Sequence, residues 1–377
     1  MPCHLSAEIK ATFGPSPKLR ETISQEIGNA AWTVDIAIYS LDDKTVIDSI
    51  SKAAKDGVRV RLILHEPDKH QKLADKLEKA GVDVRGVNLT MHHKFAILDS
   101  TRLLTGSGSW TKTAFSRYDE DLLYFNNESA YLSSFRQEFE SMWSISKEFG
   151  KDVFTPSKLK RSVPAFGRVL FTSANMTIKE HKGNTIYSPG SELPGVCGAE
   201  LISAINKAEE SIKIATTHFR REDIAEALKN AFGRGVKIQL LLDQQEYHPA
   251  SIDMKDVFYD EELAKLGVSV RYKCCTTKWS YPTALQMHCK YMIVDDRTVL
   301  TGSLNWSKNS ELNTLENLMI LNRPVVTLAY VDRFKMKWNY GAGKFSEVLK
   351  ASKTERSEPF YFPPISLSGD NVSDLVK

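Results

Sequence analysis

One string of residues occurs twice in this chain of 377, the second time 196 positions after the first. The first copy runs Met91-His92-His93-Lys94-Phe95-Ala96-Ile97-Leu98-Asp99, continues through Thr105-Gly106-Ser107-Gly108-Ser109-Trp110, and reaches Glu120-Asp121. The second runs Met287-His288-Cys289-Lys290-Tyr291-Met292-Ile293-Val294-Asp295, then Thr301-Gly302-Ser303-Leu304-Asn305-Trp306, then Glu316-Asn317. Met, His, Lys, Asp, Thr, Gly, Ser, Trp and Glu all recur at the single offset. A chain that repeats polar and apolar residues in one register has to fold as two like halves carrying a duplicated site.

The spacing has direct physical content. Phe95 to Leu98 and Tyr291 to Val294 are short apolar runs ending at an aspartate and a polar turn, the pattern of a buried strand. Side chains alternate along a strand, so His92 and Lys94 share one face, as do His288 and Lys290, while His93 and Cys289 face the other way. A second apolar run then leads to Thr-Gly-Ser, where glycine permits a sharp turn and close approach of the backbone. Each copy offers an imidazole, an ammonium, hydroxyl or amide groups and a downstream carboxylate. That set suits attack on a phosphate.

At these residues the chain resembles the phospholipase D superfamily, whose signature is His-x-Lys, four residues, Asp, then Gly-Ser-x-Asn. His288, Lys290, Asp295, Gly302, Ser303 and Asn305 match in full; the first copy departs only at Ser109, which stands in the place of the asparagine. The motif ending looks more like the small nuclease and cardiolipin hydrolase branch than the large secreted phospholipases. The resemblance implies two α/β halves packed as a pseudo-dimer with one shared active site. It also implies a covalent phosphohistidine, with His92 as nucleophile and His288 as the acid and base. Lys94 and Lys290 would neutralise the phosphate oxygens, helped by Ser107, Ser109, Ser303 and Asn305. Glu120 and Glu316 are the candidates to orient the imidazoles; the competing reading, a solvated acid, fits Glu120 within Asp119-Glu120-Asp121 better than it fits Glu316. Asp99 and Asp295 read as turn-forming supports.

Strand and helix signals alternate along both halves. Helical spacing over 18–31, 43–56 and 69–80 separates apolar strands at 34–39, 58–64 and 82–87, which argues for α/β architecture with a mostly parallel or mixed sheet flanked by helices. The second half repeats the order at 199–208, 211–215, 222–232 and 236–243, and Phe139 and Trp143 are answered by Phe334 and Trp338. The expected division is an N-terminal half 1–150, a linker 151–167, a C-terminal half 168–350 and an aperiodic tail 351–377. The segment before Pro17 reads as irregular. Ten residues separate Gly81 from His92, but twenty separate Gly267 from His288. That insertion contains Lys278, Trp279 and Tyr281, read either as a substrate-facing lip or as a packed surface loop.

Composition narrows the chemistry less than the motifs do. A net charge of +3 tolerates anionic substrates without indicating nucleic acid by itself. No apolar run approaches the ~20 residues of a membrane span and no secretory leader pattern opens the chain, so a cytoplasmic location is expected. Neither the five cysteines nor the histidines have zinc-ligand spacing, and no metal or cofactor is expected. The first reading is a metal-independent nuclease cleaving DNA or RNA. The alternatives are a phospholipase D or cardiolipin hydrolase acting on a phospholipid, and a nucleic-acid-binding module without catalysis. With both motifs in one chain, an oligomer is not required to complete the site.

Overall fold

The computed structural model describes residues 7–151, 168–243, 259–273, 285–340 and 342–344. The expected linker beyond residue 151, the tail 351–377 and the insertion residues Lys278, Trp279 and Tyr281 lie outside these.

Each half is built on an eight-stranded sheet, and the two sheets have the same topology. In the N-terminal half, Thr33–Ile38, Arg59–Leu64 and Asp83–Gly86 are parallel neighbours. Lys94–Leu98 then pairs antiparallel with Thr33–Ile38, and Arg102–Gly106, Asp121–Asn126 and Glu8–Phe13 extend the sheet antiparallel beyond it. In the C-terminal half, Ser211–Thr216, Lys237–Asp243 and Ser269–Lys273 are the parallel trio. Lys290–Val294, Thr298–Gly302, Asn317–Leu321 and Val169–Phe171 follow in the same antiparallel order. Both sheets are therefore mixed. The parallel trio comes from the strand–helix alternation visible in sequence, and the antiparallel strands come from the hairpin through each motif.

Residues 8–13 correct the expectation of an irregular start: Glu8–Phe13 is an edge strand pairing with Asp121–Asn126. A six-residue strand with a charged alternation offers little periodic signal on its own; pairing with a strand more than a hundred residues away supplies its hydrogen bonds. The expected helix over 69–80 is a 3-10 turn, Pro67–His70, followed by the α-helix Gln71–Lys79. The C-terminal half also carries a hairpin, Thr177–His181 with Asn184–Ser188, that has no counterpart among the described residues of the other half.

Local chemistry explains the regular elements. The helix Lys44–Lys55 starts at Asp43, whose carboxylate accepts from the Thr45 and Val46 amides at 3.0 and 3.2 Å. The chain turns away after it through Gly57 at φ +93°, a conformation that suits glycine. Apolar residues of such helices cover the outer faces of the sheets, Val46 and Ile50 on Ile36 and Leu62 in one half, Leu201 and Leu228 on Ile212 and Leu240 in the other. The inner faces share a single core drawn from both halves, including Phe95, Phe135 and Phe139 with Tyr291, Tyr330 and Phe334. Each such ring contributes roughly 1.5–3 kcal/mol by leaving water.

Helices Ser129–Ser144 and Pro324–Tyr340 line this shared core. The matching residues behave alike: Phe139 stacks on Trp143 at 5.5 Å and Phe334 on Trp338 at 5.6 Å. Arg85 lies over Trp143, and Arg271, its counterpart in the sheet, lies over Trp338. Tyr131 donates to the Ile320 carbonyl and Tyr330 to Asp121, so hydroxyls as well as rings join the halves.

Candidate active site

The two repeated motifs meet where the halves face each other. Lys94 and Lys290 sit at the starts of their strands, opposite Ile38 and Thr216, the last residues of the first parallel strand in each half. The site thus forms at the carboxyl ends of the parallel strands, where an open α/β sheet leaves a crevice. Just before each of these strands the chain crosses to the other half. Thr90–Met91 pairs with Thr314–Leu315, and the His92 amide donates to the Leu315 carbonyl at 3.0 Å. Met287 bridges to Asp119, and the His288 amide donates to the Asp119 carbonyl at 2.9 Å.

This crossing delivers the next residue of each partner segment, a glutamate, to the opposite imidazole. His92 Nδ1 lies 2.8 Å from Glu316 Oε2, and His288 Nδ1 lies 2.7 Å from Glu120 Oε1. Both carboxylates are about 1% exposed, so Glu120 is not a solvated acid despite its acidic neighbours. With Nδ1 engaged in each ring, Nε2 is the nitrogen left for chemistry. The imidazoles are the more accessible members of the pairs, with side chains 12% and 19% exposed.

Lys94 and Lys290 are buried, and each ammonium donates to the carbonyl of its own motif histidine. Burial pushes Lys94 down to about 7 against the pull of Glu316, and it lowers Lys290 as well. Burial also raises Glu316 to about 7. His92 is held well below the ordinary imidazole value, by burial first and then by the charges of Lys94, Lys290 and His288. His288 is lowered by burial, with Glu120 pulling the other way. The two motifs therefore act electrostatically on one another across the half boundary.

Ser107 and Ser303, expected on the phosphate, are hydrogen-bonded to the two glutamates. Both are fully buried. Ser107 Oγ donates to Glu120 Oε2 at 2.6 Å and accepts from the Asp121 amide at 2.9 Å. Ser303 Oγ bonds Glu316 and accepts from the Asn317 amide at 3.0 Å. The preceding glycine makes this possible: a Cβ on Gly106 would meet Asp121 O at 2.2 Å, and one on Gly302 would meet Asn317 O at 2.3 Å. These serines fix the carboxylates that fix the imidazoles. Ser109 and Asn305 are half-buried, and Asn305 Oδ1 is a buried atom without a hydrogen-bond partner among the described residues.

Asp99 and Asp295 are away from the imidazoles. Both adopt positive φ, 50° and 53°, at the turn closing the catalytic strand. Asp99 accepts from the amides of Ala31, Trp32 and Thr33 at 3.0, 2.7 and 3.0 Å, and Asp295 from those of Glu209, Glu210 and Ser211 at 3.0, 2.8 and 2.8 Å. Each thus latches the turn to the entry of the neighbouring strand.

Several residues around the site carried no signal in the sequence. Tyr39 approaches the His92 ring at 4.7 Å and lies under the Lys94 ammonium, and Tyr118 tilts over His288 at 5.8 Å. Asp119 is surrounded by Lys273, Arg333 and Lys337 at 2.6 to 2.7 Å, which holds its carboxyl far below the usual range. His93, on the reverse face of the motif, is buried against Asn317 and Glu138. Duplication could not have revealed these, because Thr217, Thr314, Leu315 and Cys289 stand at the matching positions. Among the described residues no helix is long and apolar enough to cross a membrane, and no group of three His, Cys, Asp or Glu could hold a metal ion.

Comparison with known proteins agrees with the architecture. The family model described as "Cardiolipin synthase, PLD-like domain" matches residues 23–143 and again 201–338. The mitochondrial cardiolipin hydrolase of Chlamydomonas reinhardtii is 33% identical over 125 residues, covering 32% of this chain and 56% of that protein. The chain spans little more than half the length of such relatives. The virion nicking-joining enzyme of Vaccinia virus (strain Copenhagen) is 23% identical over 326 residues, covering 75% of this chain and 73% of the enzyme. The crystal structure of phosphatidylserine synthase from Haemophilus influenzae Rd KW20 superposes with a TM-score of 0.64 at 13% identity, covering 90% of this chain and 88% of that one, which speaks to the fold alone. With the family model matched once in each half, and the two halves contributing crossed His–Glu pairs to one site, the chain belongs to the phospholipase D superfamily.

Proposed function

We propose that this protein is a phosphodiesterase that cleaves nucleic acid through a covalent phosphohistidine, without a metal ion. The observation that carries the reading is the pair of crossed contacts, His92 with Glu316 and His288 with Glu120. They supply two imidazoles of opposite function beside two buried lysines. His92 is the more strongly depressed imidazole, which favours the neutral nucleophile, whereas Glu120 supports protonation of His288. His92 Nε2 attacks phosphorus, and the P–O bond to the departing alcohol breaks. The electron pair passes to that oxygen, which takes the Nε2 proton of His288. His288 then removes a proton from water, the hydroxide attacks phosphorus, and the P–N bond breaks to restore His92. Lys94 and Lys290 stabilise the charge on the non-bridging oxygens.

Nucleic acid is the favoured substrate because the nicking-joining enzyme resembles this chain across both halves, whereas the match to the cardiolipin hydrolase covers a third of it. The second reading, hydrolysis of a phospholipid diester, is favoured by the names of those shorter relatives. Cleavage of end-labelled single- and double-stranded DNA and RNA in EDTA, beside anionic-lipid vesicles, separates the two. Wild type should cut nucleic acid, and His92→Ala and His288→Ala should not. Release of a lipid headgroup with no cut polymer would move the assignment to the second reading, and activity that needs added Mg²⁺ would overturn the metal-independent mechanism.

A further inference from the structure

A cavity of about 380 Å³ opens in the N-terminal half at the carboxyl ends of Arg59–Leu64 and Asp83–Gly86, its wall reaching Thr90, two residues before His92. His65 forms the wall nearest the reacting groups. Its Nδ1 faces the Met91 amide at 3.4 Å, and its ring stacks on Tyr39 at 4.8 Å and 19°, the same Tyr39 that meets the His92 ring edge. Thr90, another wall residue, lies two positions before His92. Two rings in contact, His65 and Tyr39, therefore connect the cavity to the His92 imidazole.

The lining restricts what could enter. Its carboxylates are already matched by cations: Glu66 with Lys69 at 2.7 Å, Asp68 with Lys147 at 3.2 Å, and Glu148 with Lys151 and with Arg85. Burial lowers His65, which makes it a neutral ring near pH 7. A wall without a surplus of positive charge does not attract a second phosphate. The apolar side chains of the wall, Pro67, Val87 and Leu89, are set among Glu66, Asp68, Lys69, Lys147 and Glu148, charged groups that an acyl chain would leave without solvent. An uncharged, planar group with hydrogen-bonding edges fits: a face to set against imidazole, and edges to meet Thr90 and Lys147. The rim is fixed, because the Asn88 side chain donates to the Tyr187 carbonyl at 2.8 Å and accepts from its amide at 2.9 Å, tying the cavity to the hairpin of the other half.

Asp243 occupies the position of His65 and accepts from the Met287 amide as His65 does from Met91, but it is a fully buried carboxylate. The two halves therefore differ chemically at this position.

We propose that the cavity is a subsite for a nucleoside, seating the base and sugar esterified to the reacting phosphate on its His92 side. This rests on the nuclease reading and gives it a direction. The test uses the full chain with His288→Asn, so that bound ligand is not turned over. Calorimetry compares 5′-AMP with ribose 5-phosphate, which differ only in the base. AMP should bind at least about 10-fold more tightly, the worth of one base stacked on an aromatic ring. Val87→Trp or Leu89→Trp, each of which fills the cavity, should reduce that ratio to below about threefold. Photolabelling of the unfilled protein with 8-azido-AMP should mark residues 86–90, so the assignment does not depend on the filled variants folding. Equal affinities, a label elsewhere, or a preference that survives in folded filled variants would overturn the subsite. Hydrolysis of methyl p-nitrophenyl phosphate by wild type, which needs no nucleoside, reads the catalytic proposal separately.

Discussion

His92 and Glu316 are 224 residues apart in the chain and 2.8 Å apart in space, and His288 and Glu120 repeat the contact in the opposite sense at 2.7 Å. His92 and His288 each take their carboxylate partner from the opposite half. If His92 attacks and His288 protonates, the two pairs should respond differently to the departing group. With methyl p-nitrophenyl phosphate, whose leaving phenolate needs no acid, Glu120→Gln and His288→Asn should slow the first burst of nitrophenolate by less than about 10-fold. Glu316→Gln should slow it by on the order of 10²-fold, and His92→Ala should abolish it. A reversed pattern in rapid-quench kinetics would exchange the roles of the histidines.

The buried charges also predict a pH dependence of stability. Glu316 is raised to about 7 in the fold, so between its ordinary value near 4.5 and pH 7 the folded protein binds more protons than the unfolded chain, and stability falls as pH rises. Lys94 is lowered to about 7, so between pH 7 and about 10.5 the unfolded chain binds more protons and stability recovers. The site's contribution should thus be least favourable near neutral pH. Glu316→Gln should flatten the acid-side slope, with a relative gain on the order of 2 kcal/mol at pH 8 and a loss of activity. Urea denaturation from pH 5 to 9 measures this, and an unchanged slope would show that Glu316 does not titrate in that range.

The motif aspartates should matter for folding rather than for the reaction. Asp99→Ala removes the acceptor of three backbone amides and the Arg102 partner, and should cost about 2–4 kcal/mol. At a temperature where the variant remains folded, kcat should stay within about threefold of wild type, because no reacting group has been removed. A loss of several orders of magnitude in a folded variant would place Asp99 in the chemistry.

Gly106→Ala and Gly302→Ala add one carbon each, and that carbon collides with a backbone carbonyl rather than a movable side chain. Each should destabilise by on the order of 3 kcal/mol and displace the strand that begins beside Glu120 or Glu316. Thermal melts and burst kinetics together check this, since the carboxylate should move off its imidazole even in molecules that fold. A variant with native stability and a native burst would show that the strands accommodate the methyl group freely.

Much of this arrangement was legible in the sequence because it was written twice. The apolar runs beside Lys94 and Lys290 sit at matching places in sheets of one topology, and Phe139–Trp143 is answered by Phe334–Trp338 in stacking as well as in order. Sequence spacing carries no information on which half a side chain will serve, so the exchange of Glu120 and Glu316 was invisible. Ser107 looked like a phosphate ligand for a related reason: a hydroxyl beside a glycine reads the same whether it faces a substrate or a buried carboxylate. The strand Glu8–Phe13 was hidden because its partner, Asp121–Asn126, lies far along the chain. His65 has Asp243 at its matching position rather than a second histidine, so the repeat gives it no signal.

The exchange of glutamates also bears on ancestry. In an assembly of two identical chains, every substitution near the site would appear twice, and a residue useful to the attacking imidazole would be imposed on the protonating one. Joining the copies in one polypeptide removes that constraint while the shared carboxylates keep both copies indispensable. Asp119 can then gather three cations where Leu315 is apolar, Glu138 can face His93 where Arg333 faces Asp119, and Ser109 can differ from Asn305. The covalent linkage permits specialisation, and the crossed pairs keep either copy from being discarded.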